Sequence, residues 1–203
     1  MARTRRPSRL WRVLLPVLVL CAAALAWTGV YDFIVVRGIG GVPGFWAPER
    51  LVAYGTFVLA PAVTFIPISR ALRIPLYDLE AMVAWSTLAF VVAFVEPGTQ
   101  PSLPIVLVFL VPLTMAIATI FTLISAAIGF RLLTRRSQRY DFVRARREGY
   151  LAAMFMVGCL LLALLDVLSW VNAALLALIV MLLEVFLLSR NPERARAPAS
   201  PGD

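Results

Sequence analysis

The stretch LPIVLVFLVPLTMAIATIFTLISAAIGF, residues 103–130, followed at once by RLLTRRSQRYDFVRARRE, residues 131–148, decides how the chain is organised. The first part carries no charged side chain, and about 20 apolar residues suffice for a helix to cross about 30 Å of hydrocarbon. Hydrocarbon offers no hydrogen-bonding partner, so a crossing segment must satisfy its own backbone, as a helix does. The surplus length predicts a tilt or a first turn in the interface. The second part holds Arg131, Arg135, Arg136, Arg139, Arg144, Arg146 and Arg147 against only Asp141 and Glu148. Such a segment stays on the cytoplasmic side, where short connections retain an excess of basic residues.

Working outward, the pattern repeats. Apolar runs lie at about 13–31, 51–69 and 79–95, and the forty-residue stretch from Tyr150 to Ser189 is too long for one span. Asp166, Ser169, Trp170 and Asn172 supply turn formers, a helix cap and an interfacial aromatic, which divides it into spans at about 150–166 and 170–189. The chain contains no lysine, and its arginines alternate. Arg3, Arg5, Arg6, Arg9 and Arg12 precede the first span, Arg70 and Arg73 follow the second, and Arg190, Arg194 and Arg196 follow the sixth. The gaps on the other side hold only Arg37 and Arg50. The expected fold is therefore all-α, a polytopic transmembrane bundle of about six spans with both termini cytoplasmic. Residues 1–12 form a basic tail, 13–189 one membrane domain, and 190–203 a Pro- and Ala-rich tail expected to be disordered.

Composition agrees. At 62% hydrophobic and 15% charged residues, with a mean hydropathy of +0.90, a water-soluble fold of this size would expose large apolar patches. The net charge of +8 could suit nucleic acid, but these arginines flank apolar runs and form no basic face interleaved with aromatics. Anionic headgroups are the expected partner, at about 1 kcal/mol per basic residue near the surface. Arg135, Arg136, Arg139, Arg144, Arg146 and Arg147 are the residues expected to contact them, with Tyr140, Phe142 and Val143 anchoring a short amphipathic helix. Docking of a partner subunit is the alternative use of the same segment.

The first span has two readings. Its Arg-rich start, the apolar run from Leu14 and Ala24-Leu25-Ala26 fit a secretory signal cut after Ala26. The run continues through Trp27 to Tyr31, long enough to span, and that aromatic pair suits an anchored interface. Either way the rest keeps its orientation. Cys21 and Cys159 fall inside spans, where cysteine packs as a small apolar residue.

With no histidine in the chain, zinc sites of the H-E-x-x-H type, haem ligation through His and any Ser-His relay are excluded. No P-loop or C-x-x-C is present, and no cofactor is expected. The loop Gly38-Ile39-Gly40-Gly41-Val42-Pro43-Gly44 follows no soluble strand, so it reads as a flexible or hairpin-like outer loop with Phe45 and Trp46 dipping into the interface. The chain is expected not to be an enzyme.

Carboxylates are the remaining candidates. Asp32, Glu96 and Asp166 close spans one, three and five at the outer side, where the negative pole of the helix dipole disfavours acid by roughly 0.3–1 kcal/mol. Together they form either an outward cation site, with Arg37 and Arg50 as competing partners, or ordinary hydrated span ends. Glu184 lies inside the sixth run, six residues before Arg190 and about 9 Å deeper along a helix. It shares a face with Ala173, Ala177 and Met181. It is expected either to bind or relay a proton or cation, or to pair with a boundary arginine such as Arg131 or Arg147, or to snorkel.

Small residues predict where helices meet: Thr114, Ala118, Thr122, Ser125 and Gly129 in span four, and Ser86, Ala89 and Ala93 in span three. Pro61, Pro67 and Pro112 are expected to bend their helices. Six spans, both ends inside, a Gly-rich first outer loop and the small-residue face Ala22-x-x-x-Ala26 make the layout similar in outline to the substrate-binding membrane subunits of vitamin transporters. Architecture does not itself imply function, so binding of a small solute is what the resemblance implies by analogy alone. The leading expectation from the residues is a non-catalytic accessory or scaffold subunit that associates with other membrane subunits or with itself. The alternative is a small transporter or channel for a cation or small solute.

Overall fold

The computed structural model describes residues 9–72, 74–95, 103–132 and 142–189. Six helices among them are long and apolar enough to cross a membrane. They are α1 (Arg9–Tyr31), α2 (Pro48–Leu72), α3 (Tyr77–Phe94), α4 (Leu103–Leu132), α5 (Phe142–Leu164) and α6 (Trp170–Ser189). The protein is a multi-pass, all-helical membrane protein. The chain divides into two compact units, Met1–Thr119 and Ile120–Asp203, with the division falling inside α4.

Several helix ends differ from the sequence reading. The first span continues past Tyr31 through a π-helical segment, Asp32–Val36, closed by a bond from the Arg37 N–H to the Asp32 carbonyl (2.9 Å). Asp32 does not end the span, because its carboxylate is neutralised by Arg37 at 2.6 Å and the apolar residues 33–36 follow. Helix α2 starts at Pro48, a residue suited to the first helical position because its missing N–H would have no helical partner there. It then runs on through Pro61 and Pro67. Helix α3 carries Asp78 and Glu80 in its first turn, the end at which the helix dipole favours negative charge.

The largest difference is in α5, which begins at Phe142 and not at about residue 150. The sequence Arg144–Glu148 was expected in a connection but forms the first two turns of the helix. Arg, Ala and Glu are good helix formers, and Arg144 and Glu148 form an i,i+4 pair at 3.0 Å. Residues 133–141, with Arg135, Arg136, Arg139 and Tyr140, lie outside the described residues, as do Arg73, Glu96, residues 1–8 and residues 190–203, while residues 9–12 of the expected basic tail belong to α1.

In the first unit α2 packs on both α1 and α3. Its core joins Val30, Ile39, Ala53, Phe57, Ala60 and Ala89, framed by Trp27, Phe33, Phe90 and Phe94. Alanines at the seam let the backbones approach. Trp27 therefore serves packing, with its indole N–H donating to the Thr64 hydroxyl (3.0 Å) and its ring 5.4 Å from that of Trp85. The Gly-rich loop is a packed cap and not a loose hairpin. Ile39 is 1% exposed, and Gly40 lies so close to α3 that a Cβ there would stand 2.4 Å from the Ala93 carbonyl oxygen. Gly38 and Gly44 adopt positive φ, which glycine accepts without strain. Phe45 and Trp46 do stay exposed, edge to face with one another.

In the second unit α5 packs on α6. The final turns of α4 reach α5 through a Ser125–Glu148 hydrogen bond and the Phe130–Phe142 rings. Buried Ala145, Gly149 and Ala153 make a small-x-x-x-small face on α5. Helix α5 ends in a Schellman arrangement, with bonds from the Val167 N–H to the Leu162 carbonyl (3.0 Å) and from the Asp166 N–H to the Ala163 carbonyl (3.1 Å). Ser169 caps α6 by accepting from the Asn172 N–H (3.2 Å), as its residue type predicts.

Candidate functional site

Helix α6 presents Glu184 toward the start of α5, where the Arg147 Nη2 lies 3.9 Å from the Glu184 Oε1. Ala177, Met181 and Glu184, three members of the expected face, line a cavity of about 340 Å³ against Leu151 and Phe155 of α5. Glu148 borders the same cavity. Its carboxylate is held on both oxygens, by Arg144 at 3.0 Å and by the Ser125 hydroxyl, which donates to it. The two acids are thus held unequally. Glu148 has a close guanidinium and a hydroxyl, whereas Glu184 has a guanidinium at the limit of ion-pair contact and a side chain 38% exposed. The Arg147 Nε is buried with no hydrogen-bond partner. Of the arginines expected to meet headgroups, Arg144 and Arg147 therefore each face an acid of the protein itself.

Two of the three outer acids, Asp32 and Asp166, are accounted for locally. Asp32 is paired with Arg37, whose guanidinium also lies 5.2 Å from the centre of the Phe33 ring. Asp166 is exposed and occupies the left-handed position that ends α5 (φ 53°), a conformation in which Asp is among the better tolerated non-glycine residues. Glu96 lies outside the described residues.

The small-residue stripe of α4 faces protein. Ala118, Thr122 and Gly129 are buried and Thr114 and Ser125 half-buried. In α3, Ser86 donates to the Phe57 carbonyl (3.1 Å), and Ala89 lies in the core of the first unit. The residue that sequence reasoning missed here is Thr119. It receives the Tyr77 hydroxyl on its carbonyl (3.0 Å) and the Trp85 indole N–H on its own hydroxyl (3.1 Å), which in turn donates to the Ala116 carbonyl (2.7 Å). Polar residues one step off an expected stripe were the available signal.

A second missed feature is a cleft of about 540 Å³ at the start of α2 and the end of α3, lined by Gly40, Phe45, Arg50, Tyr54, Phe90 and Phe94. The aromatic rings form one connected set, with Tyr54 5.5 Å from both Phe90 and Phe94. Arg50 donates to the Gly40 carbonyl (2.9 Å) and lies 5.1 Å from the Phe94 ring centre.

Fold and site together define a multi-pass helical membrane protein with charged groups paired at one end of its second unit and an arginine-bearing aromatic cleft in its first. No family model, no curated protein and no solved structure matches the chain.

Proposed function

We propose that the protein is a non-catalytic accessory or scaffold subunit of a complex in the cell's inner membrane, associating with other membrane subunits or with itself through α6. The observation that supports this reading is α6 itself. Within Trp170–Leu187 no residue is buried inside the chain, yet the helix carries the half-buried Glu184. An acid on such a helix is costly against lipid and is usually covered by protein. A helix from another subunit laid beside α6 supplies that cover. The alternation of arginines supports the inner membrane with both termini cytoplasmic.

Photo-crosslinkers placed at Leu178 and Leu182 test it in native membranes. A single discrete adduct, either to one other membrane protein or to a second copy, is the expected result, and Glu184→Gln should reduce it severalfold. A chain that forms no adduct and drives saturable solute flux alone in proteoliposomes would replace this reading with the second. That second reading, a small transporter or channel for a cation or small solute, draws on one observation: Glu148 and Glu184 border a single cavity.

A further inference from the structure

We infer that the cleft between α2 and α3 binds the anionic head of an amphiphile, a phosphate or carboxylate borne on an apolar chain, with Arg50 as the residue that holds the anion. The Arg50 guanidinium has five N–H donors and no acceptor. One is spent on the Gly40 carbonyl, and the Nε is buried without a partner. Arg37 pairs with Asp32, Arg144 with Glu148 and Arg147 with Glu184, and Arg50 is in none of these pairs. A half-buried cation thus sits in a cleft wall with its charge unanswered by any of these acids. Guanidinium matches the planar, two-oxygen geometry of carboxylate and phosphate better than any other side chain.

The walls specify the rest of the ligand. About 540 Å³ lies in the range of small-molecule sites, and apart from Arg50 the lining is aromatic and aliphatic, including Val91 and Val95. A bare anion would leave that apolar wall unused, whereas an amphiphile covers it with its chain. Gly40 keeps the floor in place, since a side chain there would collide with the Ala93 carbonyl. The face of Phe94 further holds the guanidinium by cation–π attraction.

Native mass spectrometry of the full chain, purified in a non-ionic detergent and titrated with dioleoyl phosphatidylglycerol, oleate or dioleoyl phosphatidylcholine, tests the proposal. One saturable equivalent of an anionic probe, preferred over the zwitterionic lipid, is expected. Arg50→Gln should weaken it about 10–100-fold, the value of a charge-assisted hydrogen bond expressed as affinity. Because Arg50 also ties down Gly40, a second variant leaves the arginine untouched: Val95→Trp fills the cleft and should block the same equivalent. Arg70→Gln, exposed in the last turn of α2 and outside the cleft, should leave it unchanged. Equal binding of phosphatidylcholine, or retention of the equivalent in both Arg50→Gln and Val95→Trp, would overturn the assignment. Displacement of the lipid by millimolar inorganic phosphate would show a free-anion site and overturn the role given to the apolar wall.

Discussion

Thr119 is 2% exposed and carries hydrogen bonds on both its carbonyl and its hydroxyl. Replacing it with valine keeps the shape but leaves the Trp85 indole N–H without its acceptor. Hydrogen bonds between membrane helices average about 0.6 kcal/mol and reach about 1.7 kcal/mol. Thr119→Val should therefore lower stability by about 1 kcal/mol in a reversible detergent-unfolding titration, and Thr119→Ser should recover most of the loss. The sequence shows a threonine in an apolar run, and a threonine can equally bond its own helix, as Thr114 does to the Leu110 carbonyl (2.7 Å). Asp32 and Asp166 make the same point for charge. Both read as outer acids, but one answers Arg37 and the other takes the left-handed turn position that suits its residue type.

At the scale of elements, placing Arg144–Glu148 in a connection hid the face Ala145, Gly149 and Ala153, because two of its three members precede the expected start of span five. Charged residues suggested water, but Glu148 is neutralised by Arg144 on the same helix and accepts a hydrogen bond from Ser125 on α4. The pairing of α5 with α6 has its own close point at Gly158, where a Cβ would stand 2.7 Å from the Leu176 Cδ2. Gly158→Ala should destabilise the protein by about 1 kcal/mol, and Leu176→Ala in the same chain should restore part of it. The pair should show a coupling of about 0.5–1 kcal/mol in a double-mutant cycle read by thermal melting in detergent, as expected of residues in contact. If the two effects simply add, α5 and α6 do not meet there.

For the whole molecule, the orientation rests on arginine placement. In a background with Cys21 and Cys159 replaced by serine, Ser137→Cys should stay unlabelled by an impermeant maleimide in intact cells, while Ser169→Cys should react. The reverse result would invert the chain and with it the sides assigned to Glu184 and the Arg50 cleft. Six spans are legible in the sequence because a long uncharged run has one stable state in lipid. The two compact units are not, since the division falls within α4, whose apolar run continues unbroken from 103 to 130. Nor is the cleft legible, because Gly40, Arg50 and Phe94 are separated in the chain and converge only through folding.

Segment length, hydropathy and charge are enough to give the solvent of this protein, the number of its spans and the expected side of its arginines. Tertiary structure decided which charges are answered. Arg37, Arg144 and Arg147 each meet an acid, Arg50 meets an aromatic ring and a carbonyl, and Thr119 gathers two other helical residues, Tyr77 and Trp85. The physical reason is one of range. Partition into lipid is a property of each segment taken alone, whereas a hydrogen bond or ion pair depends on a few ångströms between groups brought together by folding.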